Sequence, residues 1–531
     1  MKMLLVAINS QFSHSNLAVW YLKREAEIAG CDVEIFETNV NVQYHATIRE
    51  ILKRDFDVIG FSTYIFNRTV VEKLCCDIRE ARSEATIFVG GGEVYYSPNG
   101  MENFCDIILL GEGEAGVFDI ASGKLAKSKN GECQVVQPKS VKIKSVVDSG
   151  YYQQQNKILY YESSRGCPFS CSYCLSGAGN TLKTMCEDEV FEDLNKFAKM
   201  DLKLLKFVDR TFNARNDRGV SILKHIISLK TKTCFHFEIS PDLITDEFIQ
   251  VVESSCEGQF QFEIGIQSFC ERTLSEVSRF TNAKTLAGKI EKLIKTGKAN
   301  VHVDLIVGLP FEDLETFKTS FNTAYFLRSQ QLQVGFLKVL PGTKMEIDAK
   351  KYGMKYSKFP PYGIFENNWL SQSEVLALQD FEAGVEMFHN IRKFEKSLEL
   401  LGNHFGSPFE MFEYLGGKIE GDNLPLQKKV EILLFALCEF ENADVAESVV
   451  RFDYLKCCKD KKFKAPLKNL PSQNYEIRHR KDKVVQFFEY NPETFAKEDV
   501  WMQFNHETQN PVTGFFSHCI FVEDIKIKNQ L

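Results

Sequence analysis

The sequence predicts an α/β protein: an N-terminal doubly wound parallel sheet, then a partial (β/α)6 barrel, then a mainly helical C-terminal domain. Three observations predict it. Residues 1–120 alternate short apolar runs with amphipathic stretches. Residues 158–340 repeat a strand-then-helix unit six times. Beyond about Ser371 the strand signal fades and a helical period takes over. Strands that alternate with helices are joined by crossovers, which makes their sheets parallel.

The elements follow in order. MLLVAI reads as a buried strand, NLAVWYLKREAEIAG as a helix closed by Gly30, and DVEIFETN as a second strand. A helix over 46–54, the strand DVIGFSTY, the helix TVVEKLCCDIREAR and the strands ATIFVGGGE and CDIILLGEGE complete the first sheet. Ligands on such sheets sit beyond the carboxyl ends of the strands. Those ends are Asn9–Ser10, Ser62–Tyr64, Gly90–Glu93 and Gly111–Glu114. Residues 121–157 are polar and Lys-rich, and read as the passage to the next domain. Six strands then follow: ILYYESS, LLKFVD, FHFEIS, FQFEIGIQS, VHVDLIVGLP and LQVGFLKV. A closed barrel of this kind has eight, so six leave it open, with the active site at the carboxyl ends. Aromatic and β-branched runs from Val484 to Ile527 suggest strands near the end. The boundaries are therefore 1–135, a linker over 136–155, 156–370 and 371–531.

Composition narrows the class. A chain of 531 residues, 44% hydrophobic and 26% charged, is a multi-domain soluble globular protein. The formal net charge of -8 disfavours nucleic acid as a partner of the whole chain. Residues 451–485 carry eleven Lys or Arg against four acidic residues and read as a solvated basic surface. No signal-peptide pattern and no membrane-length apolar run is read, so the expected location is cytoplasmic. The 16 cysteines are scattered except for one group, which is not a disulfide framework. Cys75–Cys76 and Cys457–Cys458 are adjacent pairs without metal-ligand spacing.

The exception is Ser164-Arg-Gly-Cys-Pro-Phe-Ser-Cys-Ser-Tyr-Cys174, a Cys-x3-Cys-x2-Cys run just after the first strand of the six. Four thiolates normally hold a 4Fe-4S cluster, and three leave one iron open. A structural zinc site or a ferredoxin-like carrier would want a fourth ligand, and the nearest further cysteine is Cys186. The run resembles the Cys-x3-Cys-x-aromatic-Cys motif of the radical S-adenosylmethionine (SAM) superfamily, in spacing, in position and in Tyr173 before the third cysteine. The resemblance implies that Cys167, Cys171 and Cys174 hold the cluster, and that its open iron binds SAM and reduces it to a 5′-deoxyadenosyl radical.

Further segments fit the same family. Asp209-Arg-Thr-Phe-Asn213 ends the second strand where a Gly-Gly-Glu is often found; that motif is missing, leaving Asp209 and Asn213 as candidates. Glu238 lies on the third strand. Glu263-Ile-Gly-Ile-Gln-Ser268 resembles the segment that meets the ribose and carboxylate. Ile306-Val-Gly-Leu-Pro-Phe-Glu312 resembles the segment beside the adenine. The resemblance thus implies SAM contacts at Tyr173, Asp209, Asn213, Glu238, Glu263, Gln267, Ser268 and Gly308.

A doubly wound sheet ahead of this barrel resembles the cobalamin-binding subclass, and Gly90-Gly-Gly-Glu-Val and Gly111-Glu-Gly-Glu114 are the segments that carry the likeness. Cobalamin contacts are implied at Ser10, Ser62, Tyr64, Gly91, Gly92, Glu93, Gly111, Glu112, Gly113 and Glu114. The Asp-x-His-x-x-Gly motif of many cobalamin modules is absent after the first strand, although His14 is present. The helical region after 371 resembles an uncharacterised domain found behind some members, with Phe359-Pro-Pro-Tyr-Gly at the junction. The subclass implies methyl transfer to an unactivated carbon, with cyclisation or rearrangement as the alternative chemistry. Two further readings compete. A tRNA methylthiotransferase would need three more cysteines at strand ends, and a non-catalytic sensor would not need the open iron. The implied partners are a small-molecule or peptide substrate and a reducing donor such as flavodoxin or ferredoxin. The catalytic residue itself is not legible.

Overall fold

The computed structural model describes residues 1–154, 156–177, 181–200, 202–279, 281–458, 483–513 and 515–520. The chain divides into two compact units. One comprises Met1–Ser254, Val277–Arg279 and Leu337–Asn367; the other comprises Ser255–Glu276, Phe280–Phe336 and Asn368–Leu531.

The first unit opens with β1 (Lys2–Asn9), β2 (Asp32–Asn39), β3 (Val58–Ser62), β4 (Thr86–Gly90), β5 (Ile107–Leu109) and β6 (Gln134–Val136). They form one parallel sheet in the order β2-β1-β3-β4-β5-β6. The unbroken apolar run of β1 is what a strand covered on both faces requires. Leu4, Val6 and Ile8 enter one core with Ile51, Val71 and Leu74. Met3, Leu5 and Ala7 enter the opposite core with Val19, Val117 and Ile120. Each of these side chains larger than alanine stabilises the sheet by roughly 1.5–3 kcal/mol. Helix Leu17–Ile28 starts where the Asn16 side chain accepts a hydrogen bond from Val19 N at 3.3 Å.

The sixth strand is new relative to the sequence. Gln134–Val136 pairs with β5 from within the polar stretch read as a passage between domains. It is three residues long, partly exposed and at the sheet edge, so it carries almost no apolar signal.

Next in the same unit come β7 (Leu159–Tyr161), β8 (Ser164–Gly166), β9 (Leu182–Thr184), β10 (Leu204–Phe207) and β11 (Cys234–Ile239). β10 pairs in parallel with β7 and β11, while β8 and β9 form an antiparallel hairpin around the cysteine run. Tyr161, Phe207 and Phe237 pack at centroid distances of 5.0 and 4.6 Å beneath these strands.

In the second unit β12 (Phe260–Gln267), β13 (Asn300–Val307) and β14 (Gln331–Phe336) are parallel neighbours. Phe260, Phe262, Ile264 and Ile266 are buried, while Gln261, Glu263, Gly265 and Gln267 share the more open face. Glu263 stands beside His302, and Gly265 beside Asp304. Helices Leu314–Phe326, Gln372–Gly384 and Pro408–Gly416 meet through Phe321, Phe381 and Phe409, with ring centroids 4.7 Å apart for Phe321–Phe381 and 4.3 Å for Phe381–Phe409. Ser371 and Glu374 form a capping box at the start of the second of these.

The helices Leu426–Cys438 and Ala443–Cys457 precede an antiparallel sheet of Lys483–Phe488, Val500–Gln509 and Phe516–Ile520. The expected terminal strands are thus present up to Ile520; residues 521–527 lie outside the described residues. So does most of the basic stretch, 459–482; its first member, Arg451, is buried against Glu447 at 3.0 Å. The fold class expected from the sequence is the one found. Among the described residues no helix is long and apolar enough to cross a membrane.

Candidate functional site

The cysteine run leaves β8 through Gly166, whose φ is +90° and whose Cβ would lie 2.1 Å from the Thr181 carbonyl oxygen. Only glycine lets the two chain segments of the hairpin approach this closely. Cys167 is buried, and Cys171 and Cys174 are half-buried. All three are free thiols, and Cys167 Sγ lies 3.4 Å from Thr211 Oγ1. Backbone clamps the middle of the loop: Ser172 N donates to Val277 O at 3.1 Å, and Met345 N donates to Ser172 O at 2.8 Å. Burial pushes the Cys171 thiol up, and the Arg279 guanidinium pulls the other way. Arg279 Nη1 also reaches the Tyr173 hydroxyl at 3.4 Å. Arg279 was not read from the sequence; an isolated Arg in a polar run gives no periodic signal.

Three thiols on one loop suit iron–sulfur ligation. Among the described residues no three Cys, His, Asp or Glu side chains converge as a single ion would require. Three thiols within eight residues of one loop are a donor set that fits a 4Fe-4S cluster with one iron left open.

Asp209 is fully buried and accepts from Ser163 N at 2.8 Å and from the Ser163 and Ser164 hydroxyls at 2.6 Å each. It braces the turn that leads into the cysteine loop. Asn213 exchanges hydrogen bonds with the Ser240 backbone at 2.8 and 2.9 Å and ties the ends of β10 and β11. Glu238 is half-open on β11, 3.9 Å from Arg210 Nη1. The remaining candidates belong to the second unit. Glu263 is on the open face of β12, and Gln267 ends that strand with φ +74°, where the register with β13 shifts. Gly308 follows β13 with φ +93°. Ser268 is fully buried and donates to Glu312 Oε1 at 2.6 Å, as does Ser320 at 3.0 Å. Burial pushes the Glu312 carboxyl up to about 7, and its Oε2 has no hydrogen-bond partner.

At the carboxyl ends of β3, β4 and β5 lies a cavity of about 220 Å³. Ser62, Tyr64, Gly91, Gly111, Glu112, Gly113 and Glu114 all line it. The sequence did not single out the apolar part of its wall, Phe61, Phe88 and Leu109, because these read as ordinary core. Gly91 has φ +113°, and a Cβ there would sit 2.4 Å from the Thr63 carbonyl oxygen. Such a turn brings bare backbone to the cavity edge. Ser10, Gly92 and Glu93 do not line the cavity. Ser10 is half-buried at the end of β1, and a Cβ on Gly92 would meet nothing within 4 Å. Glu93 is buried and accepts from Arg68 Nη1 at 3.3 Å and from the Tyr362 hydroxyl. His14 lies outside the cavity lining too; its Nδ1 pairs with the Tyr160 hydroxyl at 3.0 Å, and burial lowers its pKa.

Arg165 reaches both features. It lies on β8, two residues before Cys167, and it lines the cavity. Its Nη1 is 2.8 Å from Glu114 Oε1, and it pairs with Glu162 through Nε at 2.9 Å and Nη2 at 2.8 Å.

Comparison with known proteins agrees with this geometry. Residues 3–120 match the B12 binding domain, and residues 161–324 match the radical SAM superfamily. This chain carries a radical SAM domain behind an N-terminal B12-binding domain. Residues 350–518 match a protein family of unknown function, DUF4080. The cofactors of this radical SAM enzyme are accordingly a 4Fe-4S cluster, SAM and cobalamin, and it needs a reductant and a substrate. It is 22% identical over 287 residues to the heme chaperone HemW of Bacillus subtilis (strain 168), covering 50% of this chain and 72% of that protein. It is 21% identical over 326 residues to the cobalamin-dependent radical SAM methyltransferase TokK of Streptomyces tokunonensis, covering 52% of this chain and 46% of that one. Its fold is similar to that of TsrM from Kitasatospora setae, solved with cobalamin and a [4Fe-4S] cluster, with a TM-score of 0.58 at 15% identity over 82% of this chain and 99% of that chain. It is also similar to that of OxsB, solved with aqua-cobalamin and S-adenosylmethionine, with a TM-score of 0.59 at 13% identity over 84% of this chain and 76% of that chain.

Proposed function

We propose that this radical SAM enzyme is a methyltransferase that moves a methyl group from SAM to an unactivated carbon of a small molecule or peptide, with corrinoid cobalt as the relay. The carrying observation is that one compact unit holds both a Gly-turn cavity and a three-thiol loop, with Arg165 touching the cavity wall two residues ahead of the first thiol. TokK and TsrM, named as methyltransferases, support the same reading.

The cluster and corrinoid supply one-electron chemistry and methyl relay when bound. The protein's share is to hold, orient and exclude water. Cys167, Cys171 and Cys174 ligate the cluster. Tyr173 and the half-buried Arg279 flank it, and Arg279 offers a cation to an anionic group arriving there. Glu238, Glu263, Gln267 and Gly308 are the strand-end positions proposed to meet SAM. Asp209, Asn213 and Ser268 act through the local backbone and side chains they hold, because their polar atoms are already engaged. The corrinoid is held at Ser62, Tyr64, Gly91 and Gly111–Glu114, with Glu93 setting the turn from behind. His14 is not assigned to cobalt in this reading, since it does not line the cavity. Residues 1–135, 156–370 and 371–531 are read as corrinoid module, catalytic core and a domain of unassigned role, joined by 136–155. A flavodoxin or ferredoxin supplies electrons.

The test is an anaerobic titration of the cluster-loaded protein with hydroxocobalamin, followed by turnover with methyl-labelled SAM. Stoichiometric uptake and label in a product support the proposal. No uptake by a protein that still cleaves SAM removes the corrinoid from it. Uptake and SAM cleavage with label that never leaves SAM turns the reading to cyclisation or rearrangement.

A further inference from the structure

The cysteine loop is framed by a hairpin, and that hairpin is anchored by charge to the cavity wall. On β8, Arg165 spreads its guanidinium between Glu162 and Glu114, and its Nη1 is 3.7 Å from Glu112 Oε2. On the paired strand β9, Lys183 meets the same Glu112. Two cations of the hairpin thus face two carboxylates of the Gly111–Glu114 turn, and that turn lines the cavity. The side chain of Glu114 is 7% exposed and that of Arg165 21%, so salt screens this pair weakly. Burial raises the Glu162 carboxyl, while the Arg165 fork bound to it pulls the other way. The guanidinium is a rigid planar fork, so its position is set by both partners at once. One residue on, Gly166 has φ +90°, and Cys167 follows. The Gly166 backbone therefore connects Arg165 directly to the first thiol.

We infer that Arg165 and Glu114 are a positioning pair that couples occupancy of the cavity to the geometry of the cluster loop, so that a corrinoid in the cavity tightens SAM binding at the cluster. The inference rests on the reading of the cavity as a corrinoid site. A ligand that fixes Gly111–Glu114 fixes the Glu114 carboxylate, and Arg165 carries that constraint to β8. Linkage is reciprocal: SAM tightens corrinoid binding by the same factor. A tie that only holds the hairpin in the fold contributes equally whether the cavity is full or empty, and produces no such factor.

The experiment measures the SAM Kd of the cluster-loaded protein with and without saturating hydroxocobalamin, and the hydroxocobalamin Kd with and without SAM. The expected wild-type ratio is about fivefold or more in each direction. In Arg165→Lys and in Glu114→Gln the ratio falls to one, whatever each change does to either affinity alone. A wild-type ratio of one, or a ratio that survives both substitutions, overturns the inference while leaving the functional reading in place. Failure of hydroxocobalamin to bind wild-type protein overturns both. Wild-type protein also provides a check that needs no variant. Hydrogen–deuterium exchange of residues 164–174 slows when hydroxocobalamin is added without SAM; unchanged exchange sinks the coupling.

Discussion

Glu312 sits fully buried with one oxygen bonded by Ser268 and Ser320 and the other without a partner. Burial moves its carboxyl up from the usual 4.5 to about 7. The raised value means the folded state holds the proton longer than the unfolded state does. Stability from this group is therefore full below about pH 4.5, falls as pH rises towards 7, and is flat above. The span corresponds to about 3 kcal/mol. Glu312→Gln keeps the shape and removes the titration, so the difference in unfolding free energy between variant and wild type should shift by about that amount across this window. A variant whose thermal unfolding follows the wild-type pH curve would refute the assignment. At the cysteine loop, Cys167→Ala, Cys171→Ala and Cys174→Ala should each abolish the brown cluster absorbance and SAM cleavage. Retained cleavage in any one would overturn the ligand set.

Between elements, the turn after β4 is the sharpest constraint. Gly91 has φ +113° and no room for a Cβ against the Thr63 backbone, whereas a Cβ on Gly92 meets nothing. A forced left-handed side chain costs on the order of 1–3 kcal/mol. Gly91→Val should therefore weaken hydroxocobalamin uptake with iron content unchanged, and Gly92→Ala should leave uptake at the wild-type level. Equal behaviour of the two, read by gel filtration and absorbance, would mean the cavity is not where the corrinoid binds. The hairpin of β8 and β9 illustrates why a motif alone is incomplete: the spacing of the cysteines marks the loop, but the cations that anchor it, Arg165 and Lys183, look like any exposed basic residues in the sequence.

Over the whole molecule, distant segments converge on the same small features. Tyr362 follows the Pro-Pro pair of the junction and donates to Glu93, 269 residues earlier in the chain. Tyr362→Phe removes that donor and leaves a buried carboxylate with Arg68 as its partner. It should cost roughly 1.5–3 kcal/mol of stability in the first unit, measured by denaturant unfolding; a change within error would show the bond is not made in solution. By itself the sequence determined the fold class and singled out the three thiols proposed to hold the cluster. Buried strands need unbroken apolar runs, as β1 has, and a cluster needs thiols at close spacing, as Cys167, Cys171 and Cys174 are. Both signals are local. It also marked most of the cavity edge, because turns that bare their backbone must be glycine. Tertiary structure alone decided the rest. β6 is an edge strand held by its neighbour rather than by its own hydrophobicity. Asp209 and Asn213 turned out to brace turns, and Arg165, Arg279 and Tyr362 acquired partners far along the chain. A charge or hydroxyl has no period, and its role depends on which distant group the fold brings within hydrogen-bond reach.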